Sequence, residues 1–110
     1  MVVDDDDDTR LLTKVFLNSF GYEVDSTNST SDALARFNPD LHDLVLTDNS
    51  MQGMTGAEMA HIIKLRSPST PVVMYTGNPP NDQKSIDVMI KKPAYLLAIK
   101  DAIDKVLSAK

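Results

Sequence analysis

Apolar and polar positions follow one another along the chain in two rhythms, one typical of short buried strands and one typical of amphipathic helices. Short apolar runs predict five strands, at residues 1–3, 22–26, 44–47, 72–75 and 86–90. Apolar residues spaced three and four apart predict helices that include residues 11–20, 32–37, 57–66 and 96–106. Strands that alternate with helices in this way predict a parallel sheet with helices on both faces.

Polar and turn-forming residues mark where these helices begin and end. Asp7 is the predicted N-cap of the first helix, because further acidic side chains in the first turn suit the helix dipole, and Gly21 closes that helix. Thr30 is the predicted N-cap of the second helix. These signals agree with the helix positions given by the apolar spacing.

The segment between the fourth and fifth strands is short for a parallel crossover. Fifteen residues separate Thr76 from Lys92, and part of them must form the fifth strand. About ten residues remain, whereas a crossover usually needs a dozen or more. Pro79 and Pro80 also exclude a helix interior at their positions. We therefore predict that this crossover helix is shortened to a turn around residues 82–85 or is missing.

Composition limits the class of protein. The chain has 110 residues, which predicts one domain over residues 1–110. Its net charge of −5 argues against nucleic acid as a direct partner, since phosphate binding needs a basic face. No apolar run has the length of a membrane span, and cysteine is absent, which excludes disulfides and cysteine–zinc sites. No signal peptide is visible, and a cytoplasmic location is expected.

Polar side chains follow the predicted strands at their carboxyl ends. Asp4 and Asp5 come after the first strand, and Asp48 follows the third. Thr76 ends the fourth strand, and Lys92 follows the fifth. In open parallel sheets these ends share one edge, where ligands bind. We therefore expect these five side chains to converge at one rim.

The motifs at these strand ends resemble the receiver domain of two-component response regulators. They are Val2-Val3-Asp4-Asp5, residues 44–48 with Met51 and Gly56, residues 72–76 with Gly77, and Lys92-Pro93. They occur in the family's order and cover nearly the whole chain. The resemblance implies a flavodoxin-like, doubly wound α/β fold with five parallel strands in the order 2-1-3-4-5.

The resemblance also implies a chemical role for each motif. Asp48 would accept a phosphoryl group from a histidine kinase or phosphotransfer protein, and Thr76 and Lys92 would contact that group. The implied ligands of a bound Mg²⁺ or Mn²⁺ are Asp4, Asp5, Asp48 and the backbone carbonyl of Ser50. Such a domain is no ordinary enzyme, since it catalyses its own phosphorylation and dephosphorylation. The resemblance also implies that the domain switches conformation to control a downstream effector protein or domain. A homodimer is one possible oligomeric state.

Elementary electrostatics explains why such a site needs a cation. A carboxylate that attacks a phosphohistidine must approach an anionic group, and neighbouring carboxylates repel it. Mg²⁺ takes oxygen ligands and offsets this repulsion, and Lys92 adds a second positive charge. Without metal, clustered carboxylates should raise the pKa of at least one acid. Metal binding should therefore release protons at mildly acid pH.

Two departures from the family leave a second function open. Met89 stands where the family commonly has an aromatic residue, three positions before Lys92, and Gln52 stands where a proline is common. The usual coupling between Thr76 and an aromatic ring is therefore in doubt. A degenerate receiver, which acts as a phosphorylation-independent interaction module, is the alternative.

A third function is a phosphatase of the haloacid-dehalogenase type. Asp5-x-Asp7-x-Thr9 fits that family's nucleophile motif. We rank this hypothesis low, because the chain is short for that fold and offers no later acidic pair. A run of five aspartates also generates the match easily.

Overall fold

The architecture is the predicted alternation of strands and helices. The computed structural model describes residues 1–109, so Lys110, the last residue of the predicted domain, lies outside the described residues. In chain order the elements are β1 (Val2–Val3), α1 (Asp7–Ser19), β2 (Ser26–Thr27), α2 (Thr30–Arg36), β3 (Val45–Thr47), α3 (Gly56–Arg66), β4 (Val72–Thr76), β5 (Val88–Lys91) and α4 (Leu96–Ser108).

The strands form one parallel sheet in the order β2-β1-β3-β4-β5, which confirms the predicted topology. In the register, Val3 of β1 pairs with Thr47 of β3, and Thr47 pairs with Met74 of β4. Met74 pairs in turn with Met89 of β5. Because all pairings are parallel, the carboxyl ends of these strands lie along the same edge of the sheet.

Both faces of the sheet are covered, as a doubly wound fold requires. The buried residues of the face under α2 and α3 include Val3, Ala33, Val45, Met59, Ala60, Ile63 and Val72. Those of the face under α1 and α4 include Val2, Leu17, Leu46, Val73, Ile99 and Ile103. Central strands buried on both sides explain why their sequences read as continuous apolar runs.

Several strands differ from their predicted bounds. The second strand is Ser26–Thr27 instead of residues 22–26, and the fifth is Val88–Lys91 instead of residues 86–90. Val24 still packs against the core, although it lies before the paired part of β2. The apolar runs in the sequence identified the strand segments. The hydrogen bonds that define where each strand begins and ends leave little signal in the sequence.

The caps of α1 and α2 each lie one residue before the predicted position. Asp6, and not Asp7, accepts the backbone N–H of the residue three positions later, at 2.9 Å. Ser29 does the same for α2, at 2.9 Å. The Thr30 hydroxyl instead donates to the carbonyl of Met54 at 2.9 Å, so it ties α2 to the loop after β3.

Helix α1 forms where the apolar spacing predicts it, but most of those apolar residues face outward. Leu11, Leu12 and Val15 are 62%, 59% and 57% exposed. The buried residues of α1 are Thr13 and Leu17. The hydroxyl of Thr13 has a hydrogen-bond partner within the helix, because it donates to the backbone carbonyl of Thr9. The spacing therefore identified the helix and missed the orientation of its apolar stripe.

The crossover from β4 to β5 contains no helix among the described residues 77–87, which confirms the expected loss. Its end is fixed by the carboxylate of Asp87, which accepts the backbone N–H of Val72 at 2.7 Å and the ammonium of Lys64 at 2.7 Å. Lys64 also donates to the carbonyl of Thr70 at 2.8 Å. These bonds fix the position of the chain just before β5, in the absence of a crossover helix over the described residues 77–87.

Candidate functional site

A cluster of carboxylates lies at the carboxyl edge of the sheet. Asp4, Asp5 and Asp48 each offer an oxygen, and these oxygens lie within 4.8 Å of one another. Asp4 is buried, Asp48 is half-buried and Asp5 is exposed, so the cluster opens to solvent on one side. Ser50, the fourth predicted ligand, follows in the loop after β3. The fold thus brings the predicted carboxylate ligands together.

Lys92 reaches into this cluster from the end of β5. Its Nζ lies 3.2 Å from Oδ2 of Asp48 and 3.4 Å from Oδ2 of Asp4. The backbone N–H of Lys92 donates to the carbonyl of Thr76 at 2.8 Å, which continues the β4–β5 pairing and fixes where the side chain starts. The ammonium group of Lys92 therefore bridges the carboxylates of Asp4 and Asp48, which follow different strands.

Burial and charge shift two pKa values in the cluster. Burial raises the pKa of Asp4, the charge of Asp48 adds to the rise, and the N–H of Asp6 and the ammonium of Lys92 oppose it. Burial alone would lower the pKa of Lys92, but Asp4 and Asp48 outweigh it and raise that pKa. The expected rise at one acid is therefore found at Asp4, with burial as its larger cause.

Thr76 ends β4 at the same edge and is fully buried. Its hydroxyl accepts the backbone N–H of Asn78 at 3.1 Å. The preceding residue, Tyr75, points to the other face of the strand, where its hydroxyl donates to the carbonyl of Ala94 at 3.3 Å and its ring lies 5.1 Å from the Lys92 ammonium. Tyr75 thus supports the segment that carries Lys92, a role that the sequence did not indicate.

Asn49 organises the loop that carries Asp48, and sequence reasoning gave it no role. Its backbone N–H donates to Oδ1 of Asp48 at 2.6 Å. Its side-chain Oδ1 accepts the N–H of Ala57 at 3.1 Å, and its Nδ2 donates to the carbonyl of Asn78 at 3.1 Å. Asn49 is buried, so its amide links three segments from inside the loop.

Gly56 allows the backbone at Asp48 to lie against α3. A Cβ placed on Gly56 would lie 2.0 Å from the carbonyl oxygen of Asp48, a distance that backbone atoms cannot relieve without moving. Gly56 lies within the capping box of α3, in which Thr55 and Glu58 exchange hydrogen bonds. The sequence motif includes Gly56, but only the structure gives the physical reason for a glycine there.

The phosphatase motif is not assembled as that hypothesis requires. Asp7 lies in α1 with its side chain 82% exposed and forms an ion pair with Arg10 at 2.6 Å. The Thr9 hydroxyl is bonded to the capping carboxylate of Asp6. Of the three motif residues, only Asp5 belongs to the carboxylate cluster formed by the described residues.

Met89, in the place of the family's aromatic residue, pairs with Met74 in the sheet and is half-buried. Gln52 is exposed in the loop after β3. Among residues 1–109, no helix has both the length and the apolar composition needed to cross a bilayer.

Comparison with known proteins identifies the family. The family model described as the response regulator receiver domain matches residues 1–106. The autoinducer 1 sensor kinase/phosphatase LuxN of Vibrio campbellii is 30% identical over 108 residues, which cover 94% of this chain and 13% of LuxN. The C4-dicarboxylate transport transcriptional regulatory protein DctD of Rhizobium meliloti is 32% identical over 77 residues, which cover 70% of this chain and 17% of DctD. The chain thus spans a small part of these relatives.

Solved structures with the same fold support this family assignment. The response regulator TrrA of Thermotoga maritima, solved in complex with Mg²⁺ and BeF, matches with a TM-score of 0.88 and 28% identity over 96% of this chain and 95% of that chain. A CheY-like receiver domain protein of Methanospirillum hungatei matches with a TM-score of 0.91 and 25% identity over 98% of this chain and 91% of that chain. The sequence match, the sheet order and the rim of acids with one lysine agree, and the chain belongs to the receiver domains of two-component response regulators.

Proposed function

We propose that this receiver accepts a phosphoryl group on Asp48 from the phosphohistidine of a histidine kinase or phosphotransfer protein. The observation that carries the proposal is the bridge from Lys92 to Asp4 and Asp48 within a cluster of three carboxylates. Such a cluster is costly to assemble without a ligand, because like charges at short range repel. A site that binds a cation and then an anionic group explains both the acids and the lysine.

The reaction is a transfer between two side chains. A carboxylate oxygen of Asp48 attacks phosphorus, and an O–P bond forms while the N–P bond of the donor breaks and its electron pair returns to the imidazole nitrogen. Lys92, 3.2 Å from Oδ2 of Asp48, holds positive charge beside the oxygens of the transferred group. The Thr76 hydroxyl can donate a hydrogen bond to one of those oxygens.

The donor set suits a hard divalent cation such as Mg²⁺ or Mn²⁺, since all of its side-chain groups are carboxylates. The residues that would hold it are Asp4, Asp5, Asp48 and the Ser50 carbonyl. When bound, the cation neutralises charge that builds up on the phosphoryl oxygens. Burial of Asp4 orients its carboxylate in advance, which lowers the entropy that is lost on binding.

An apolar surface next to the rim suits a protein donor. Leu11, Leu12 and Val15 form an exposed stripe on α1, which begins directly after the acidic cluster. Tyr95 and Leu97, 88% and 55% exposed, lie beyond Lys92. A donor that must bring its phosphohistidine to Asp48 has to cover this neighbourhood, and exposed large apolar groups favour such a contact. We assign the surface to the histidine kinase or phosphotransfer protein.

One further function has an observation in its favour. Met89 lacks an aromatic ring, and the described crossover between β4 and β5 lacks a helix, so the usual switch elements are reduced. A degenerate receiver that binds its partner without being phosphorylated is compatible with both features. The intact rim favours the phosphorylated receiver, whose altered conformation then controls a downstream effector.

Formation of a beryllofluoride adduct separates these two functions. Beryllofluoride mimics a phosphoryl group on an aspartate, so ¹⁹F NMR of the protein with Mg²⁺ should show a bound signal. We expect that signal to disappear on Asp48→Asn and on chelation of Mg²⁺. A folded protein that gives no bound signal, or one whose signal survives Asp48→Asn, would overturn the proposal and favour the interaction module.

A further inference from the structure

The ammonium group of Lys92 lies over an aromatic ring as well as beside two carboxylates. Its Nζ is 5.1 Å from the centre of the Tyr75 ring, 3.2 Å from Oδ2 of Asp48 and 3.4 Å from Oδ2 of Asp4. A cation within about 6 Å of the centre of an aromatic ring is attracted by the negative face of that ring. Three groups therefore hold this ammonium, and one of them is not an acid.

The Tyr75 ring is held in place by its own contacts. Tyr75 lies in β4 and pairs in register with Ile90 of β5, two residues before Lys92. Its hydroxyl donates to the carbonyl of Ala94, two residues after Lys92, at 3.3 Å. The side chain is half-buried and packs against the core on the face of the sheet under α1 and α4. The ring therefore offers the lysine a surface of fixed position.

The same side chain limits the space beside the two acids. Tyr75 lines a cavity of about 10 Å³ together with Asp4, Thr13 and Asp48. A space of this size holds at most one water molecule. A smaller side chain at this position would enlarge the space and admit more water, which weakens the attraction between charges next to it.

A bound cation would change the acids but not the ring. In the proposed function a divalent cation binds Asp4 and Asp48, so it uses their oxygens and repels the ammonium of Lys92. The face of the Tyr75 ring offers no oxygen to a hard cation, and its attraction for the ammonium remains. In the loaded site, before a phosphoryl group arrives, the ring should therefore be the main group that keeps the lysine at the rim.

We propose that Tyr75 is a positioning residue that holds the Lys92 ammonium at the rim while a divalent cation occupies the carboxylates. Lys92 is then in place when the phosphodonor arrives. This inference rests on the proposed function and adds a residue to it. Tyr75 contacts neither the cation nor the phosphoryl group and acts through Lys92.

Phosphorylation by acetyl phosphate at saturating Mg²⁺ tests this role. Tyr75→Leu keeps an apolar side chain and removes the ring, so we expect the second-order rate constant for modification of Asp48 to fall about fivefold, as for the loss of one partly desolvated cation–π contact. Tyr75→Phe keeps the ring and loses only the bond to Ala94, so its rate constant should stay close to that of the wild type. Equal losses in the two variants would overturn the role of the ring.

A second cation–π pair supplies the matched control. The ring of Phe20, at the end of α1 that is remote from the acidic cluster, lies 4.7 Å from the ammonium of Lys100. Phe20→Leu removes a contact of the same kind outside the candidate site. Its rate constant should equal that of the wild type, and a fivefold loss there too would contradict a role specific to Tyr75.

The proton NMR signals of the Lys92 side chain report the contact directly in the wild-type protein, without any variant. Ring current should place the ε-CH₂ protons of Lys92 upfield of those of the exposed Lys91, both without Mg²⁺ and with it. The upfield shift should persist in Tyr75→Phe and disappear in a folded Tyr75→Leu. Loss of the shift in the wild type on addition of Mg²⁺ would show that the ring does not hold the lysine in the loaded site, and would overturn the inference.

The inference and the proposed function fail in different ways. If acetyl phosphate modifies the wild type and a folded Tyr75→Leu at the same rate, the positioning role is wrong and the phosphoacceptor role of Asp48 stands. If the wild type is not modified, the proposed function fails, and the shift of the Lys92 signals with Mg²⁺ still decides whether the ring holds the ammonium.

Discussion

The two loops that border Asp48 are built in opposite ways. The loop from β3 to α3 is packed at its ends, since Gly56 lies against the carbonyl of Asp48, and Asn49 is buried with its amide oxygen and its amide nitrogen both hydrogen-bonded. The hydroxyl of Thr30 in α2 adds a bond to the carbonyl of Met54, near the end of this loop. The crossover from β4 to β5 is longer, largely exposed and without a helix in its described residues 77–87.

This difference bears on the two parts of the proposed function, phosphoryl transfer and control of an effector. Phosphoryl transfer needs side chains held in one geometry, and a loop fixed by close backbone contacts supplies it. If this receiver controls an effector as proposed, that control needs a segment with two accessible arrangements, and the exposed crossover suits this better than the packed loop does. The packed loop and the exposed crossover are neighbours, and they meet where the side-chain amide of Asn49 donates to the carbonyl of Asn78.

The largest effect should come from filling the space at Gly56. Gly56→Ala places a methyl group 2.0 Å from the carbonyl oxygen of Asp48, so we expect a loss of on the order of 3 kcal/mol in the free energy of unfolding. Gly77→Ala is the control in the other loop, because its Cβ would meet Lys92 at an ordinary 3.8 Å. Urea unfolding measures both, and equal losses would contradict the contrast between the loops.

A smaller effect should come from the far anchor of the crossover. Asp87→Ala leaves the buried N–H of Val72 without its acceptor and removes the partner of Lys64. We expect a loss of about 2 kcal/mol, typical of a buried donor left unsatisfied. Asp87→Asn keeps an acceptor oxygen and should lose less. Full stability of Asp87→Ala in urea would show that the crossover needs no anchor at this end.

Burial of Asp4, which follows β1 at the same edge of the sheet, makes its charged form unfavourable in the folded protein. Because burial raises its pKa in the folded state, the folded protein binds this proton more tightly than the unfolded chain. Stability without metal should therefore fall as pH rises from the ordinary pKa of Asp4 through its folded pKa, by about 1.4 kcal/mol for every pH unit that separates the two pKa values. Asp4→Asn removes this dependence and should be the more stable protein at pH 7.

Unfolding curves with a metal chelator, recorded from pH 4 to pH 7, measure the difference between these two proteins. The advantage of Asp4→Asn should shrink toward acid pH, where the wild-type carboxyl is protonated. Adding Mg²⁺ should reverse the order at pH 7, because only the wild type keeps all three carboxylates. A variant that is less stable at pH 7 without metal would contradict the raised pKa.

The smallest effect should come from lengthening the crossover. Three Gly-Ser-type residues inserted between Asn81 and Asp82 should cost roughly 0.2 kcal/mol, which is the loop-closure entropy alone. The same insertion between Gln52 and Gly53 should cost several times more, because that loop is held on both sides by backbone contacts. Equal costs in urea unfolding would remove the distinction between the loops.

Much of the rim could be predicted from the sequence, because strand ends in a parallel sheet must meet. Asp4, Asp48, Thr76 and Lys92 each follow an apolar run, and topology brings them to one edge. The missing crossover helix followed from counting residues after Thr76. Both predictions depend on chain length and pattern, which the sequence records directly.

Other features depend on contacts between distant segments and gave no local signal. Asn49 looks like an ordinary loop residue until its amide is found between Ala57 and Asn78. The apolar residues of α1, such as Leu12, predicted a helix but not that they would stay exposed, since the residues that α1 buries are Thr13 and Leu17. The spacing of apolar residues in the sequence predicts an apolar stripe on the helix, whereas packing against the sheet decides whether that stripe is buried or exposed.

Transfer from a small phosphodonor tests the central claim most directly. The wild-type protein is incubated with acetyl phosphate, with and without Mg²⁺, and the modified residue is mapped by mass spectrometry. We predict one phosphoryl group, on Asp48, that is absent when Mg²⁺ is chelated and absent in Asp48→Asn. A folded protein that stays unmodified with Mg²⁺ present, or one that carries the phosphoryl group on Asp5, would contradict the account.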